Sequence, residues 1–356
     1  MYRSRMTDLV VLVLGSVVAL TLAEATLRAL RPARLDVIRY PCVYQPDPIL
    51  GFRYTPGAQG LVAGHFEIHN PITLNSLGFY DDEPLPLDEA SPRILAVGDS
   101  FTAAMNVPRD AVWTAVLERE LRAQGHPMAD VVNLGLDGTG TDVHLDLLRE
   151  YVPRFRPDVI VLAFFGNDIL DVLNGRFRRE CHRSIVLSYQ TDDQRAVLRD
   201  RVDAHHERRL RRWFFDHFYI ARLLQVALDP LDPLLIEFLQ PSAKEMGLDD
   251  AVRRSRRSRL TAAFDGLEEV ARSCHCRLVI APVPPRSDAE GSARLARKFI
   301  GKRSLEILDL LPDMELAWKR DGREHADLYF VHDTHLNVYG NRLYGRTLAR
   351  LLAPGL

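Results

Sequence analysis

The sequence predicts an α/β fold in which helices cover both faces of a parallel sheet. Short apolar segments, typical of buried strands, alternate with longer segments of helical spacing over residues 93–352. This alternation favours a parallel sheet, because parallel strands need a crossover connection that is usually a helix. Apolar residues make up 47% of the chain, so a packed core rather than a disordered or fibrous chain is expected.

The elements follow one another in a regular order. The third strand, DVIVLAFF, is almost wholly apolar, which is typical of a central strand buried on both faces. The predicted strands are 93–97, 130–134, 158–165 and 277–283, and the predicted helices are 111–123, 141–155, 258–273 and 336–352.

The N-terminus is predicted to be a membrane-directed helix separate from this core. Arg3 and Arg5 precede an uncharged run over residues 9–23. We interpret residues 1–32 as a signal anchor, that is, a transmembrane helix that stays attached. A cleaved signal peptide remains open, because residues 23–25 fit a small-x-small cleavage site. Either of these export interpretations places the rest of the chain outside the cytoplasm, on the periplasmic or extracellular side; a buried helix of a soluble protein is the remaining alternative.

Two further segments separate from the alternating pattern. Residues 33–90 are rich in Pro, Gly, Asn and Asp and are predicted to be an extended, loop-rich lead-in. Residues 91–356 form the predicted main domain, and within it residues 169–257 are an insertion or lid that is partly helical. Its arginines suit a solvated face; a membrane-surface patch is the sharper alternative, carried by Trp213, Phe214, Phe215, Phe218 and Tyr219.

Charge and cysteine content exclude several classes of protein. The formal net charge is −2, so nucleic-acid binding is not predicted. The segment Cys274-His275-Cys276 and the pair Cys181-His182 lack the C-x2-C spacing of a metal site, so no metal is predicted. A disulfide between an unspecified pair of cysteines and free thiols both remain open. The order of Gly135, Gly138 and Gly140 inverts the dinucleotide-binding pattern, so no cofactor is predicted.

Polar residues follow three of the predicted strands, where functional groups of open α/β sheets collect. The first strand leads into GDSFT with Ser100, the second into NLGLDG with Gly138, and the third into GND with Asn167. A fourth block, DTH with Asp333 and His335, precedes the last helix.

These residue types fit one reaction. Ser100 is a candidate nucleophile, His335 the base that activates it, and Asp333 the carboxylate that orients His335. The backbone N–H groups of Ser100 and Gly138 and the side-chain amide of Asn167 are candidate donors to an oxyanion. The alternative for Ser100 is a plain helix N-cap, since serine commonly occupies that position.

The four blocks together resemble the SGNH, or GDSL-type, hydrolase family over residues 75 to 352, apart from the insertion. Residues 75–79, NSLGF, look like the lead-in of membrane-anchored members. The resemblance implies a three-layer α/β/α, flavodoxin-like fold and ester hydrolysis without metal or cofactor. It assigns the catalytic triad to Ser100, Asp333 and His335 and the oxyanion hole to Gly138 and Asn167, with Gly135 as the fallback glycine.

One spacing departs from the common family pattern. Asp333 lies two residues before His335, whereas many members have three. The shorter spacing also occurs in branches that move acetyl groups on extracellular polysaccharides. The expected function is therefore a serine esterase that hydrolyses O-acyl or O-acetyl esters of a small or glycan-borne substrate. The alternatives are an O-acetyltransferase acting on extracellular or envelope polysaccharide and a non-catalytic scaffold of the same fold.

Overall fold

The computed structural model describes most of the chain, in two compact units that are treated separately. The first unit comprises residues 1–39, 63–69 and 200–247, and the second the remainder. The described residues are 2–30, 43–64, 67–174, 217–221, 223, 250–300, 303, 305–331 and 333–356.

Within these residues the chain forms nine strands and nine α-helices. The strands are β1 (Tyr44–Asp47), β2 (Gly51–Tyr54), β3 (Gln59–Gly64), β4 (Ile68–Thr73), β5 (Arg93–Gly98), β6 (Asp130–Gly135), β7 (Val159–Phe164), β8 (Arg277–Pro282) and β9 (Glu306–Ile307). The helices are α1 (Tyr2–Leu30), α2 (Ser100–Ala103), α3 (Trp113–Ala123), α4 (Thr141–Phe155), α5 (Asn167–Asn174), α6 (Asp250–Cys274), α7 (Gly291–Ile300), α8 (Leu311–Arg320) and α9 (Val338–Leu352).

The central sheet has five parallel strands in the order β6-β5-β7-β8-β9. Every residue of β5, β6 and β7 is buried, which agrees with the apolar runs that predicted them. The two-residue strand β9 was not predicted, because a segment this short has no readable periodicity.

Helices cover both faces of this sheet. Helices α3, α8 and α9 supply Trp113, Met314 and Tyr344 to the core on one face, while α4 packs against α6 on the other. Trp113 and Tyr344 meet edge to face at 5.4 Å between ring centroids, a favourable aromatic geometry. The predicted three-layer α/β/α fold with a parallel sheet is therefore confirmed.

The lead-in predicted as loop-rich contains two short strand pairs. Strands β1 and β2 pair antiparallel with Tyr44 opposite Tyr54, and β3 pairs with β4. The first pair is anchored in the core by Phe52 and Tyr54, which are almost fully buried. Asp47 closes the turn by accepting the N–H groups of Ile49 and Leu50.

Helix α1 belongs to the first unit. Residues Thr7–Leu30 form a 24-residue stretch that is long and apolar enough to cross a membrane, and its side chains are exposed along the helix. Near its C-terminal end Glu24 pairs with Arg28 at 2.8 Å and accepts the backbone N–H groups of Tyr219 and Ile220. An exported protein's signal sequence has the same composition, so both N-terminal interpretations stand.

Most of the predicted insertion lies outside the described residues, including Trp213, Phe214 and Phe215. Its two ends are helical, as α5 and the start of α6. Cys274, the last residue of α6, forms a disulfide with Cys276, which is one of the pairings that the sequence left open.

Candidate active site

The register of the central sheet brings the sequence blocks together. Gly98, the last residue of β5, pairs with Gly135 at the end of β6 and with Ala163 near the end of β7. Because the strands are parallel, the segments that follow all three leave the sheet at the same edge. Ser100, the 136–139 segment and Asn167 therefore start from neighbouring positions.

Ser100 is the first residue of α2, and Asp99 rather than Ser100 caps that helix. The Asp99 Oδ1 atom accepts the backbone N–H of Phe101 at 2.9 Å. The hydroxyl of Ser100 is consequently not used as a cap, contrary to the simpler alternative for this residue. Burial raises the pKa of Asp99 to about 6, although the Phe101 amide, the charge of His335 and the Asn167 side chain oppose the shift.

The Ser100 hydroxyl lies against His335. The distance from His335 Nε2 to Ser100 Oγ is 2.8 Å, and His335 Nδ1 lies 2.5 Å from Asp333 Oδ1. Because a carboxylate can only accept, Nδ1 carries the proton and donates to Asp333. This leaves the Nε2 lone pair to accept the hydroxyl hydrogen of Ser100. The three side chains thus have the geometry of a nucleophile, a base and an orienting acid.

His335 is mostly buried, with 24% of its side chain exposed. Burial opposes its charged form, but the hydrogen bond and the charge of Asp333 outweigh burial and raise the pKa of His335 above 6.5. Asp99 and Asp137 add to this increase. The imidazolium that forms when a base takes a proton is therefore stabilised here.

The two candidate oxyanion glycines have different structural roles. Gly135 ends β6, where a Cβ atom would lie 2.1 Å from the backbone nitrogen of Ala103, so it is needed for α2 to pack against the strand. Gly138 has φ of 63°, a left-handed conformation that suits glycine at a turn. The structure thus gives Gly135 a packing role and leaves Gly138 as the glycine in the half-buried turn of the block.

Asn167 is the first residue of α5, and its side chain is partly buried beside Asp99. The following residue, Asp168, is fully buried and accepts the backbone N–H of Phe165 at 3.2 Å. Burial, with repulsion from Asp99, raises the pKa of Asp168 well above its usual value. Asp168 thereby fixes the turn that carries Asn167.

Several residues around the site were not found from the sequence. The phenol groups of Tyr44 and Tyr54 both donate to the carboxylate of Asp137, directly before Gly138. The ring of Phe101 lies 4.8 Å from that of His335, centroid to centroid. Asp137 lies inside the NLGLDG block, where its position before Gly138 is a signal for a role at the turn, whereas nothing in the lead-in sequence marks the two tyrosines.

Comparisons with known proteins show modest similarity to individual relatives. The chain is 30% identical to esterase TesA of Pseudomonas aeruginosa over 79 residues, which are 22% of this chain and 39% of that protein. Among solved structures, TesA matches with 14% identity, 74% of this chain, 99% of that chain and a TM-score of 0.40. Esterase EstA from Pseudoalteromonas matches with 11% identity, 73% of this chain, 96% of that chain and a TM-score of 0.35.

A match to a whole family covers far more of the chain. The GDSL-like lipase/acylhydrolase family matches residues 96–343, well over half of the protein, and the match includes the segments that carry Ser100, Asn167 and His335. It begins after the β1–β2 strand pair. The chain therefore belongs to the GDSL-like lipase/acylhydrolase family.

Proposed function

We propose that this hydrolase cleaves carboxylic esters through an acyl-enzyme on Ser100, with His335 as the base and Asp333 as its orienting carboxylate. The observation that carries the proposal is the continuous path from Ser100 Oγ through both ring nitrogens of His335 to Asp333 Oδ1, with distances of 2.8 and 2.5 Å. Such a path activates a hydroxyl that is otherwise a weak nucleophile.

The reaction proceeds in two halves. Ser100 Oγ attacks the ester carbonyl carbon while its proton passes to His335 Nε2, and the carbonyl oxygen becomes an oxyanion. The N–H groups of Ser100 and Gly138 and the Asn167 amide donate to this oxyanion. His335 then protonates the leaving alcohol as the carbon–oxygen bond breaks. Water then loses a proton to His335 and attacks the acyl carbonyl carbon. The bond to Ser100 Oγ breaks, His335 returns the proton to Oγ, and the acid is released.

The proposed substrate is an O-acyl or O-acetyl ester, either small or carried by a glycan, outside the cytoplasm. Support for the location is the apolar helix α1 at the N-terminus, acting as a signal anchor or signal peptide. Proteolysis of intact cells and of spheroplasts tests the side: an extracellular catalytic unit should be cleaved in intact cells and a periplasmic one only in spheroplasts, and protection in both would contradict this location.

The catalytic proposal is tested with the full chain in an ester-free detergent. Wild type, Ser100→Ala and Ser76→Ala are compared on p-nitrophenyl acetate, butyrate and octanoate. Ser76 is a matched control, since its hydroxyl bonds to Glu83 and not to the site. Ser100→Ala should lose activity by orders of magnitude and resist labelling by a fluorophosphonate, while Ser76→Ala keeps both.

Full activity in folded Ser100→Ala would overturn the proposed nucleophile.

An oligosaccharide acceptor in the same assay addresses the fate of the acyl group. Release of free acid as the main product supports hydrolysis, because the acyl-enzyme then prefers water. Acylated oligosaccharide as the main product would show that transfer, rather than hydrolysis, is the preferred second half-reaction.

A further inference from the structure

The β1–β2 strand pair lies ahead of the family match and reaches the candidate oxyanion turn. Tyr44 and Tyr54 face each other as a cross-strand pair, with ring centroids 5.5 Å apart. Tyr44 Oη donates to Asp137 Oδ2 at 2.5 Å, and Tyr54 Oη donates to Asp137 Oδ1. Each oxygen of the carboxylate thus receives its own phenol hydrogen.

A third hydrogen bond joins the same groups through the backbone. The N–H of Asp137 donates to Tyr54 Oη at 2.9 Å, so Tyr54 both gives to and receives from this residue. Burial raises the pKa of Tyr54 well above its usual value, and the phenol keeps its hydrogen. With side chain and amide both held, the orientation of the peptide leading into Gly138 has little freedom.

The strand pair is itself held in place. Arg53 directly precedes Tyr54 in β2, opposite Gln45, and bonds Asp47 in β1 at 2.6 Å. Its other nitrogens bond both carboxylate oxygens of Glu150 in α4 at 3.1 and 3.2 Å. A paired Arg–carboxylate contact of this kind is geometrically specific. It ties the strand pair to the helix that follows the glycine block.

The other side of the turn is fixed by Thr139. Its hydroxyl donates to Leu136 O at 2.5 Å and lies 3.2 Å from Nε2 of the fully buried His144. Burial lowers the pKa of His144 to about 3, so the ring is neutral and its Nε2–H can donate to Thr139. Gly138 is therefore flanked on both sides by residues with fixed hydrogen bonds.

The charge of Asp137 makes the tyrosines necessary. Its negative charge acts on His335 and Asp99, raising the pKa of both, and Asp137 directly precedes the candidate oxyanion glycine, Gly138. A bare carboxylate beside the oxyanion would disfavour it, whereas two phenol dipoles pointing at the carboxylate reduce that field.

We propose that Tyr44 and Tyr54 are positioning residues that clamp Asp137 and thereby hold the Gly138 N–H ready for the oxyanion. This inference rests on the proposed function, because it assigns Gly138 to the oxyanion hole. In this role both tyrosines act through Asp137 rather than on the substrate itself. Their loss should therefore weaken binding of the transition state and leave binding of the ground state nearly unchanged.

The test compares Tyr54→Phe, Tyr44→Phe and the double variant, in the full chain, with Tyr344→Phe as control. Tyr344 is also fully buried and also donates one hydrogen bond, to Ala281 O at 2.8 Å, but it lies in the core away from the site. Each variant is assayed for kcat and KM on p-nitrophenyl acetate and for inhibition by a trifluoromethyl ketone. Ser100 adds to that ketone and creates a bound oxyanion.

Loss of a whole oxyanion donor costs about 10²–10³-fold in kcat, so misplacing one should cost about 10–100-fold. We expect this loss in the double variant, with ketone affinity falling by the same factor and KM changing by less than about threefold. A purely structural role would lower the melting temperature without this selective loss, as we expect for Tyr344→Phe.

Two outcomes overturn the clamp. One is a folded double variant whose kcat and ketone affinity equal those of the wild type. The other is an equal loss of both in Tyr344→Phe. Ser100→Ala in the same assay distinguishes failure of the clamp from failure of the proposed function. If wild type and Ser100→Ala cleave the ester equally and neither is labelled by fluorophosphonate, Ser100 is not the nucleophile. The proposed clamp is then wrong as well.

Discussion

Asp333 holds His335 through a single oxygen atom that accepts twice. Its Oδ1 receives the imidazole Nδ1–H at 2.5 Å and the backbone N–H of His335 at 2.7 Å. The two-residue spacing of the DTH block makes this double contact possible, because side chain and backbone of His335 both lie within reach of one carboxylate. The two-residue spacing therefore allows Asp333 to orient the imidazole ring of His335.

Replacing Asp333 by Asn should strongly reduce turnover. The amide can donate as well as accept, so the Nδ1–H tautomer of His335 loses its support and the imidazolium loses its counter-charge. We expect kcat to fall by about 10²–10⁴-fold with the fold intact. Steady-state kinetics with circular dichroism checks this, and a folded variant with wild-type kcat would remove Asp333 from the triad.

The acidic limb of the pH profile of wild type should have its midpoint above pH 6.5. His335 acts as a base only when neutral, and its pKa is raised, so activity is lost as pH falls through that raised value. In Asp333→Asn the main cause of the increase is gone, and the residual acidic limb should move to lower pH. Profiles of kcat/KM from pH 4 to 9 for wild type and for Asp333→Asn measure both midpoints. An acidic limb that does not move in Asp333→Asn would contradict the assignment of His335.

Asn167→Ala should lower kcat by about 10²–10³-fold with a small change in KM, as expected for loss of one oxyanion donor. Wild type and Asn167→Ala are compared by kcat and KM on p-nitrophenyl acetate and by affinity for the trifluoromethyl ketone. A loss confined to KM would instead show that Asn167 contacts the substrate only in the ground state.

Gly138→Ala and Gly135→Ala should fail in different ways. Alanine at position 138 must adopt a φ of 63°, which costs about 1–2 kcal/mol and disturbs the turn, so the protein should fold but lose activity. At position 135 the new Cβ would meet backbone atoms of α2 at 2.1 Å, so folding itself should suffer. Melting temperature and kcat of both variants distinguish them; the reverse pattern would restore Gly135 as the oxyanion glycine.

Asp99→Asn should stabilise the protein at neutral and alkaline pH. The pKa of Asp99 rises from 3.8 to about 6 on folding, so wild type is fully stabilised by the neutral carboxyl below pH 3.8 and loses this contribution as pH rises through 6. Asparagine keeps the oxygen that caps α2 and carries no charge. The gain at pH 8 should be about 3 kcal/mol at most and vanish near pH 3.5.

Thermal unfolding at pH 3.5, 6 and 8 measures this difference, with the exposed Asp88→Asn as control. A gain that is the same at all three pH values would show that the effect is one of packing rather than of charge. The same variant should also lower the pKa of His335 slightly, because Asp99 contributes to its increase.

The sequence identified the elements whose signal is local. The buried strands β5, β6 and β7 and the serine, asparagine and histidine blocks stand in continuous segments, so apolar runs and short motifs reveal them. What it could not reveal depends on contacts between distant segments. Tyr44 and Tyr54 act on Asp137 across more than 80 residues, and their strands lie in a segment whose Pro and Gly content favours loops.

The exact ends of the helices also depend on contacts that the sequence pattern does not show. The last helix was predicted from residue 336, and it begins at Val338 because Asn337 caps it by accepting the N–H of Gly340. Capping by Asp99 rather than Ser100 likewise depends on a side-chain conformation that spacing alone does not determine.

The position of the β1–β2 strand pair also bears on how such an enzyme can evolve. The family match starts at residue 96, so the matched region holds Ser100, Asn167 and His335 but neither tyrosine. If the tyrosines clamp the oxyanion turn, mutations in the strand pair change turnover without altering any residue that contacts substrate. Natural selection can then adjust the speed of this enzyme and its preference for substrate in separate stretches of the gene.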